Sequence, residues 1–252
     1  MAPTSLLDAP LAALSPEFRP YGPSHWTILA VFVLLAATLI VCGRRTGHRR
    51  GTVWFRRGFA ILIVGLQLPL QIYSMLPPHW DLTKSLPFQL CDLAWMAAAH
   101  ALWTRHRFSV GLLYYWGLTL TSQALITPQL ERDFPHLEFV MFWSSHILVV
   151  LAAIYLTWGL SSQPGWREYC STSLVTIGWT LVMLVFNATA NTNYLYVNHK
   201  PDNGTILDLF GDWPTYLGVE IVVALLLWAA MTWPWTRRNS LKEKLNQPES
   251  GD

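Results

Sequence analysis

The feature that most limits how this chain can fold is a series of long apolar runs separated by short polar segments. A helix needs roughly 20 mostly apolar residues to cross the hydrocarbon core of a bilayer. Runs of about that length occupy residues 25–42, 53–76, 87–103, 108–127, 137–159, 168–192 and 213–233. Only 13% of the residues are charged, about half the share found in soluble domains. We therefore predict an all-α, polytopic membrane protein, a bundle of seven transmembrane helices.

Basic residues indicate how the predicted helices are oriented. Six of them lie between the first two apolar runs or at the start of the second: Arg44, Arg45, Arg49, Arg50, Arg56 and Arg57. Because Lys and Arg in short loops stay in the cytoplasm, we expect this loop inside, with the N-terminus outside and the C-terminus inside. That orientation leaves thirteen of the 17 Lys and Arg residues on the cytoplasmic side.

The same orientation divides the chain into an external N-terminal tail (1–24), a transmembrane domain (25–235) and a cytoplasmic C-terminal tail (236–252). The positions of the basic residues are explained by the orientation of the helices in the membrane, so the net charge of +2 does not indicate a nucleic-acid partner. We expect membrane lipids to be the partners. Cys42, Cys91 and Cys170 lack the spacing of a metal site or a disulfide framework. The sequence thus predicts no metal and no cofactor, and it leaves the oligomeric state open.

Polar side chains inside the predicted spans fall mostly in the outer half of the bilayer. Such side chains are costly in lipid and usually face the interior of a bundle. A rise of about 1.5 Å per residue places one set of them at similar depths on several spans: Gln71, Cys91, Asp92, Gln123, His146, Asn187, Asn191 and Glu220. We therefore predict a polar cavity that opens towards the outer leaflet or the outer surface.

Cys91 is the predicted nucleophile of this cavity. It stands near the start of a short helix in SLPFQLCDLAW, where the helix dipole favours a thiolate. His146, on another span, could take up the thiol proton, and a Cys activated by a His is suited to covalent acyl transfer. The other residues expected at the site would orient the His, donate to the oxyanion, tune charge or close the mouth: Gln71, Asp92, Gln123, Asn187, Asn191, Glu220 and Tyr194.

Other uses of the same residues stay open. A buried Cys is usually a small hydrophobic residue, and buried Asn and Gln often hold helices together. The carboxyls of Asp92 and Glu220 need a partner or a proton in the membrane, which suits a transporter or a small-molecule binding protein equally well. A structural accessory subunit is the third alternative.

Several motifs resemble those of one known group. In chain order they are SLPFQLCDLAW, ALITP, FPHLEFVMFWSSHILVV, NTNYLYVNHKP and GDWP. Over about residues 55–235 the sequence resembles the YwaF-type family of bacterial integral membrane proteins. It is similar, more distantly, to a eukaryotic transmembrane phospholipid acyltransferase that uses a Cys and a His. The resemblance implies a protein of the bacterial cytoplasmic membrane, with Cys91 as nucleophile, His146 as base, and phospholipid or lipoprotein acyl groups as donor and acceptor.

Overall fold

The computed structural model describes residues 16–47, 50–128, 130–201 and 206–245. Its long helices follow one another as α1 (Pro23–Thr46), α2 (Arg50–Met75), α3 (Leu90–Thr104), α4 (107–126), α5 (Leu137–Gly159), α6 (Trp166–Ala190) and α7 (Thr215–Leu245). The described residues form no β-sheet, only a single bridge between Glu17 and Arg132. The prediction of an all-α fold is therefore confirmed.

Five of the seven helices are long and apolar enough to cross a membrane: α1, α2, α5, α6 and α7. The other two are shorter or interrupted. The helix α3 has 15 residues, and α4 contains the π-helical segment Trp116–Thr121 between α-helical Arg107–Tyr115 and Ser122–Ile126. The chain is thus an integral membrane protein, whereas the count of seven crossings and the predicted orientation stay predictions.

Two helix ends differ from the sequence prediction. The helix α3 begins at Leu90 and not at residue 87, because the chain turns between Leu86 and Phe88, whose N–H donates to the Leu86 carbonyl (2.8 Å). The helix α7 continues to Leu245, so the first part of the predicted cytoplasmic tail is helical. Residues 1–15 and 246–252 of the predicted tails lie outside the described residues.

The short helix α3 lies at the centre of the bundle, in contact with α2, α4 and α5. Ala94, Ala98, Ala101 and Leu102 have no exposed surface, and small side chains of this kind let neighbouring helices approach closely. A helix of this length spans only about 22 Å, less than the thickness of a bilayer core. Neighbouring helices cover the face that carries Ala94, Ala98 and Ala101, whereas Met96 and Trp103 on another face remain 37% and 46% exposed.

Large apolar side chains cover the outer faces of the peripheral helices. Leu34, Leu174, Val185 and Leu226 have 66–72% of their surface exposed. Such exposure on several helices at once would be unfavourable in water, but it places these side chains against acyl chains in a bilayer. The outer faces of these helices therefore contact membrane lipids.

Two glycines allow α1 and α5 to cross at close range. A Cβ atom on Gly43 would lie 2.7 Å from the Cα of Gly159, closer than two carbon atoms can pack. The backbone of α5 occupies the space that a side chain would need. The crossing therefore requires glycine at position 43.

We expect Gly43→Ala to lower the free energy of unfolding by about 1–3 kcal/mol, the usual cost of forcing a methyl group into a filled contact. Gly178→Ala on α6 is the matched control, because a Cβ atom there meets nothing within 4 Å. Thermal unfolding in detergent compares the two variants. A Gly43→Ala variant that melts with the parent would contradict the close crossing.

The helix connections define two ends of the bundle. The arginine end holds the connections α1–α2, α3–α4 and α5–α6, where Arg107 Nε lies 2.9 Å from Glu168 Oε1 and Arg105 donates to the Ser162 hydroxyl (2.7 Å). The loop end holds the connections α2–α3, α4–α5 and α6–α7 and the segment before α1.

The segment before α1 packs on the α4–α5 connection at the loop end. The Phe18 N–H donates to the Glu131 carbonyl (3.0 Å), and the Asp133 N–H donates to the Pro16 carbonyl (2.9 Å). The longer connections thus pair with one another and cover this end of the bundle. The candidate site lies beneath them.

Candidate functional site

A cavity of about 190 Å³ lies between α3, α4, α6 and α7. Its wall is mostly aliphatic, with side chains such as Ile177, Leu217 and Ile221, and Trp228 is the deepest lining residue on α7. Residues 195–197 of the α6–α7 connection line it at the loop end. The cavity's polar side chains, apart from its Tyr and Trp, are Gln89, Cys91, Ser173, Thr176, Thr180 and Glu220.

The cavity-lining residue Cys91 is the second residue of α3. The chain before it is held by Gln89, whose N–H donates to Asp92 Oδ2 (3.1 Å) and whose Oε1 accepts from the Leu195 N–H (3.1 Å). The first contact caps the helix N-terminus, where backbone donors are otherwise unpaired. Asp92 therefore acts on the backbone of α3, and the thiol stays in the first helical turn, close to the covering loop.

Glu220 brings a carboxyl group into the same cavity from α7. No hydrogen bond or ion pair joins it to another side chain in the part of the chain that the structure describes. The structure thus unites the predicted Cys91 and Glu220 in one apolar chamber. A lone carboxyl there can take up a proton or bind a polar group of a ligand.

His146 lies on α5 and is not among the described residues that line the cavity. Its Nδ1 is 2.7 Å from the carbonyl oxygen of Phe142, so Nδ1 carries the proton and donates it. The other ring nitrogen, Nε2, then keeps its lone pair, as a base requires. Helix α4 contacts both α3, which carries the Cys91 thiol, and α5, which carries the His146 imidazole.

Asn187 is buried, and its side chain organises the α6–α7 connection. Its amide nitrogen donates to the Tyr194 carbonyl (2.9 Å) and to Asn198 Oδ1 (3.0 Å). Its oxygen accepts from the Thr192 hydroxyl (2.8 Å) and the Tyr194 N–H (2.9 Å). An amide with two donors and two acceptor positions in use has none left for His146 or an oxyanion. This geometry replaces the predicted role with a structural one.

Tyr194 also fastens the connection. Its buried hydroxyl donates to the Leu82 carbonyl (2.8 Å) and accepts from the Leu86 N–H (3.1 Å), and its ring packs on Phe88. Burial raises the pKa of the Tyr194 hydroxyl, which keeps it protonated as a donor. Its neighbour Tyr196 lines the cavity, so Tyr194 holds the covering loop while residues 195–197 reach the chamber.

Three further predicted residues lie outside the cavity lining. Gln71 donates to the Ser85 carbonyl (2.8 Å) and so supports the α2–α3 connection. Gln123 is exposed near the end of α4. Asn191 is exposed and ends α6 in the left-handed conformation (φ 57°), a common way for helices to stop. Gln71 thus stabilises and Asn191 terminates an element near the site.

The sequence reasoning missed a row of hydroxyls on α6. Ser173, Thr176 and Thr180 line the cavity and are three and four residues apart, the spacing of one helix face. That spacing was visible in the sequence. Short hydroxyl side chains are common in membrane helices, so their spacing alone does not indicate a functional site. The Ser173 hydroxyl is buried without a hydrogen-bond partner in the described structure, which leaves an unpaired hydroxyl in the part of the cavity nearer the arginine end.

The arrangement combines an aliphatic chamber, a thiol at a helix N-terminus, a carboxyl and unpaired hydroxyls. Among the described residues no three His, Cys, Asp or Glu side chains come together as a metal would require. What the site offers is nucleophilic and proton-transfer chemistry on a molecule with long apolar parts.

The fold and the chamber define an integral membrane protein with a polar-lined cavity inside a helical bundle. The chain belongs to the TMEM164 family, a transmembrane family whose model matches residues 20–232. The match includes every residue that lines the cavity. No curated protein and no solved structure matches the chain. The expectation of a transmembrane family is confirmed, while the YwaF-type resemblance and the link to an acyltransferase stay predictions.

Proposed function

We propose that this protein is a membrane-bound acyltransferase in which Cys91 carries the acyl group as a thioester. The observation that carries the proposal is the position of the thiol: it lines an aliphatic chamber at the N-terminus of a buried helix. A helix N-terminus stabilises negative charge, and the thiolate is the nucleophilic form of cysteine. Aliphatic walls suit the fatty chain of a phospholipid or a lipoprotein.

The reaction has two steps. The Cys91 sulfur attacks the carbonyl carbon of an acyl ester, the thiol proton passes to His146, and the ester C–O bond breaks. The leaving alcohol takes that proton, which gives a free alcohol and an acyl thioester on Cys91. A second alcohol or an amine then attacks the thioester, and the sulfur leaves as the thiol.

The membrane position is part of the proposal. With the arginine end in the cytoplasm, as the distribution of basic residues favours, the loop end and the chamber belong to the outer half of the membrane. Acyl donors and acceptors would then be lipids of the outer leaflet of a bacterial cytoplasmic membrane. Glu220 would face the polar part of such a lipid.

Trapping of the acyl-enzyme tests the proposal. We expect purified protein in vesicles that contain a phospholipid with a radiolabelled acyl chain to acquire label that survives denaturation and is released by neutral hydroxylamine, as a thioester is. Mass spectrometry should find the acyl group on Cys91. A variant with Cys42→Ser and Cys170→Ser, both exposed cysteines, is the control and should label like the parent. Absence of label, or label only on Cys42 or Cys170, would refute the proposal.

A further inference from the structure

One hydroxyl next to the thiol has no structural use. Thr121 has 1% of its surface exposed, its side-chain oxygen lies beside the Cys91 sulfur, and no described group forms a well-aligned hydrogen bond with that oxygen. A buried polar group without a partner costs free energy. Such a group deserves an explanation in its site.

Two neighbouring hydroxyls make a hydrogen bond within α4 that the Thr121 hydroxyl does not make. Thr119 donates to the Tyr115 carbonyl (2.5 Å), and Ser122 donates to the Leu118 carbonyl (2.8 Å). This bond to the carbonyl four residues back is the usual way to satisfy a hydroxyl in a helix. Thr121 is the last residue of the π-helical segment of α4, and π-helical turns often occur at functional sites.

The helix register brings His146 to the level of Thr121. On α5, Val149 and Ala153 pack against Gly117 of α4. His146 precedes these residues by three and seven positions, so it lies on the same face of α5, one turn nearer the loop end. On α4, Thr121 follows Gly117 by four positions and is also one turn nearer the loop end.

The tautomer of His146 completes the arrangement. Its Nδ1–H is held by the Phe142 carbonyl (2.7 Å), which fixes the ring and leaves the lone pair on Nε2. The thiol is therefore a proton donor beside Thr121, and the imidazole is an acceptor at the same level on the neighbouring helix α5. A hydroxyl can accept one hydrogen bond and donate another, which is the requirement for a relay.

We propose that Thr121 passes the thiol proton from Cys91 to His146. In this step the Thr121 oxygen accepts the proton of the thiol while its own proton moves to Nε2. The sulfur becomes a thiolate, the imidazole becomes an imidazolium, and the threonine is unchanged. The inference rests on the proposed function, since it assigns a further residue to the same reaction. It also explains how a histidine outside the cavity lining acts on a cysteine inside it.

Two substitutions of Thr121 test the relay. Thr121→Val removes the hydroxyl and keeps the shape, and we expect it to slow both acyl transfer and alkylation of Cys91 by N-ethylmaleimide at neutral pH by about ten- to a hundredfold. Thr121→Ser retains a hydroxyl and should keep most of both rates. Alkylation is measured in the Cys42→Ser, Cys170→Ser background over a range of pH, in phosphatidylcholine vesicles.

A purely structural threonine would behave differently. Valine removes an unpaired buried hydroxyl, so Thr121→Val should melt at the same temperature as the parent or higher. Thr172→Val on α6 is the matched control: its hydroxyl is also buried and unpaired, but it packs against Gly111 of α4 and not beside the thiol, and we expect parental rates. In a His146→Ala background Thr121→Val should cause no further loss, because the relay then has no acceptor.

The outcomes separate the relay from the proposed function. Parental alkylation and transfer rates in Thr121→Val, or losses that add to those of His146→Ala, would overturn the relay and leave acyl transfer at Cys91 intact. Parental transfer in a Cys91→Ser variant would overturn the proposed function. The alkylation rates would then still decide on the relay, because alkylation of the thiol does not require acyl transfer.

Discussion

Replacing Cys91 by serine or alanine is expected to lower acyl transfer between phospholipids by at least about a thousandfold, as removal of a catalytic nucleophile does in other enzymes. An alanine has no atom that can hold the acyl group. A serine hydroxyl lacks the acidity of a thiol and gains little from the helix N-terminus. The measurement is the appearance of transferred acyl chains in vesicles that contain the purified variant.

Stability distinguishes a catalytic effect from a packing effect at this position. Serine is close to cysteine in size, so we expect Cys91→Ser to melt within a few degrees of the parent. The comparison variant is Cys170→Ser, which should retain full transfer because Cys170 is exposed and lies outside the cavity. Transfer that persists in Cys91→Ser would contradict the mechanism. If small-molecule uptake into vesicles is then found and Glu220→Gln abolishes it, a proton-coupled transporter becomes the better interpretation.

Asn187→Leu is expected to cost about 3–5 kcal/mol of stability, the range typical of a broken buried hydrogen-bond network. The leucine would leave the backbone N–H and C=O of Tyr194 without their partners, and each buried unpaired group is costly. Residues 195–197 follow directly and line the cavity. We therefore expect acyl transfer to fall together with the melting temperature.

Asn191→Gly is the matched control for Asn187→Leu. It changes the same residue type on the same helix four positions later, and glycine accepts the left-handed conformation of that position (φ 57°). We expect a change in stability of a few tenths of a kcal/mol. Limited proteolysis of the 191–214 connection offers a second measurement, with faster cleavage only in Asn187→Leu. Equal melting temperatures and cleavage rates in the two variants would contradict the role of Asn187.

The membrane class and the positions of most helices could be predicted because hydropathy alone decides them. Apolar runs of sufficient length mark α1, α2, α5, α6 and α7 directly. The ends of α3 and α7 could not be predicted. The start of α3 depends on a turn between Leu86 and Phe88, and α7 extends into a charged sequence that hydropathy assigns to solvent.

For the site, depth in the membrane can be counted from the sequence, and the predicted depths of Cys91 and Glu220 stay predictions. The structure places both residues on the wall of one cavity. The sequence does not show whether a side chain at that level reaches the cavity: Gln123 is exposed, and the Asn187 amide is taken up by hydrogen bonds to the α6–α7 connection. The role of Thr121 could not be predicted from the sequence, because an unpaired hydroxyl is recognised only when the hydrogen bonds around it are known.

The attachment of α7 has a consequence for how a lipid could come and go. Below the cavity the helix is tied to α4 by Trp228 Nε1, which donates to the Thr119 hydroxyl (3.0 Å). At the loop end it is tied by the Tyr216 hydroxyl, which donates to the Tyr196 carbonyl (2.5 Å). Between these two anchors the inner face of α7 borders the cavity, and a further hydrogen bond from the Tyr169 hydroxyl to the Leu225 carbonyl (3.3 Å) holds it to α6. A bend of α7 that breaks this one bond would open the cavity towards the bilayer while the α6–α7 connection stays in place. Acyl chains could then enter the cavity directly from the bilayer without admitting water, and a thioester inside the cavity would be protected from hydrolysis.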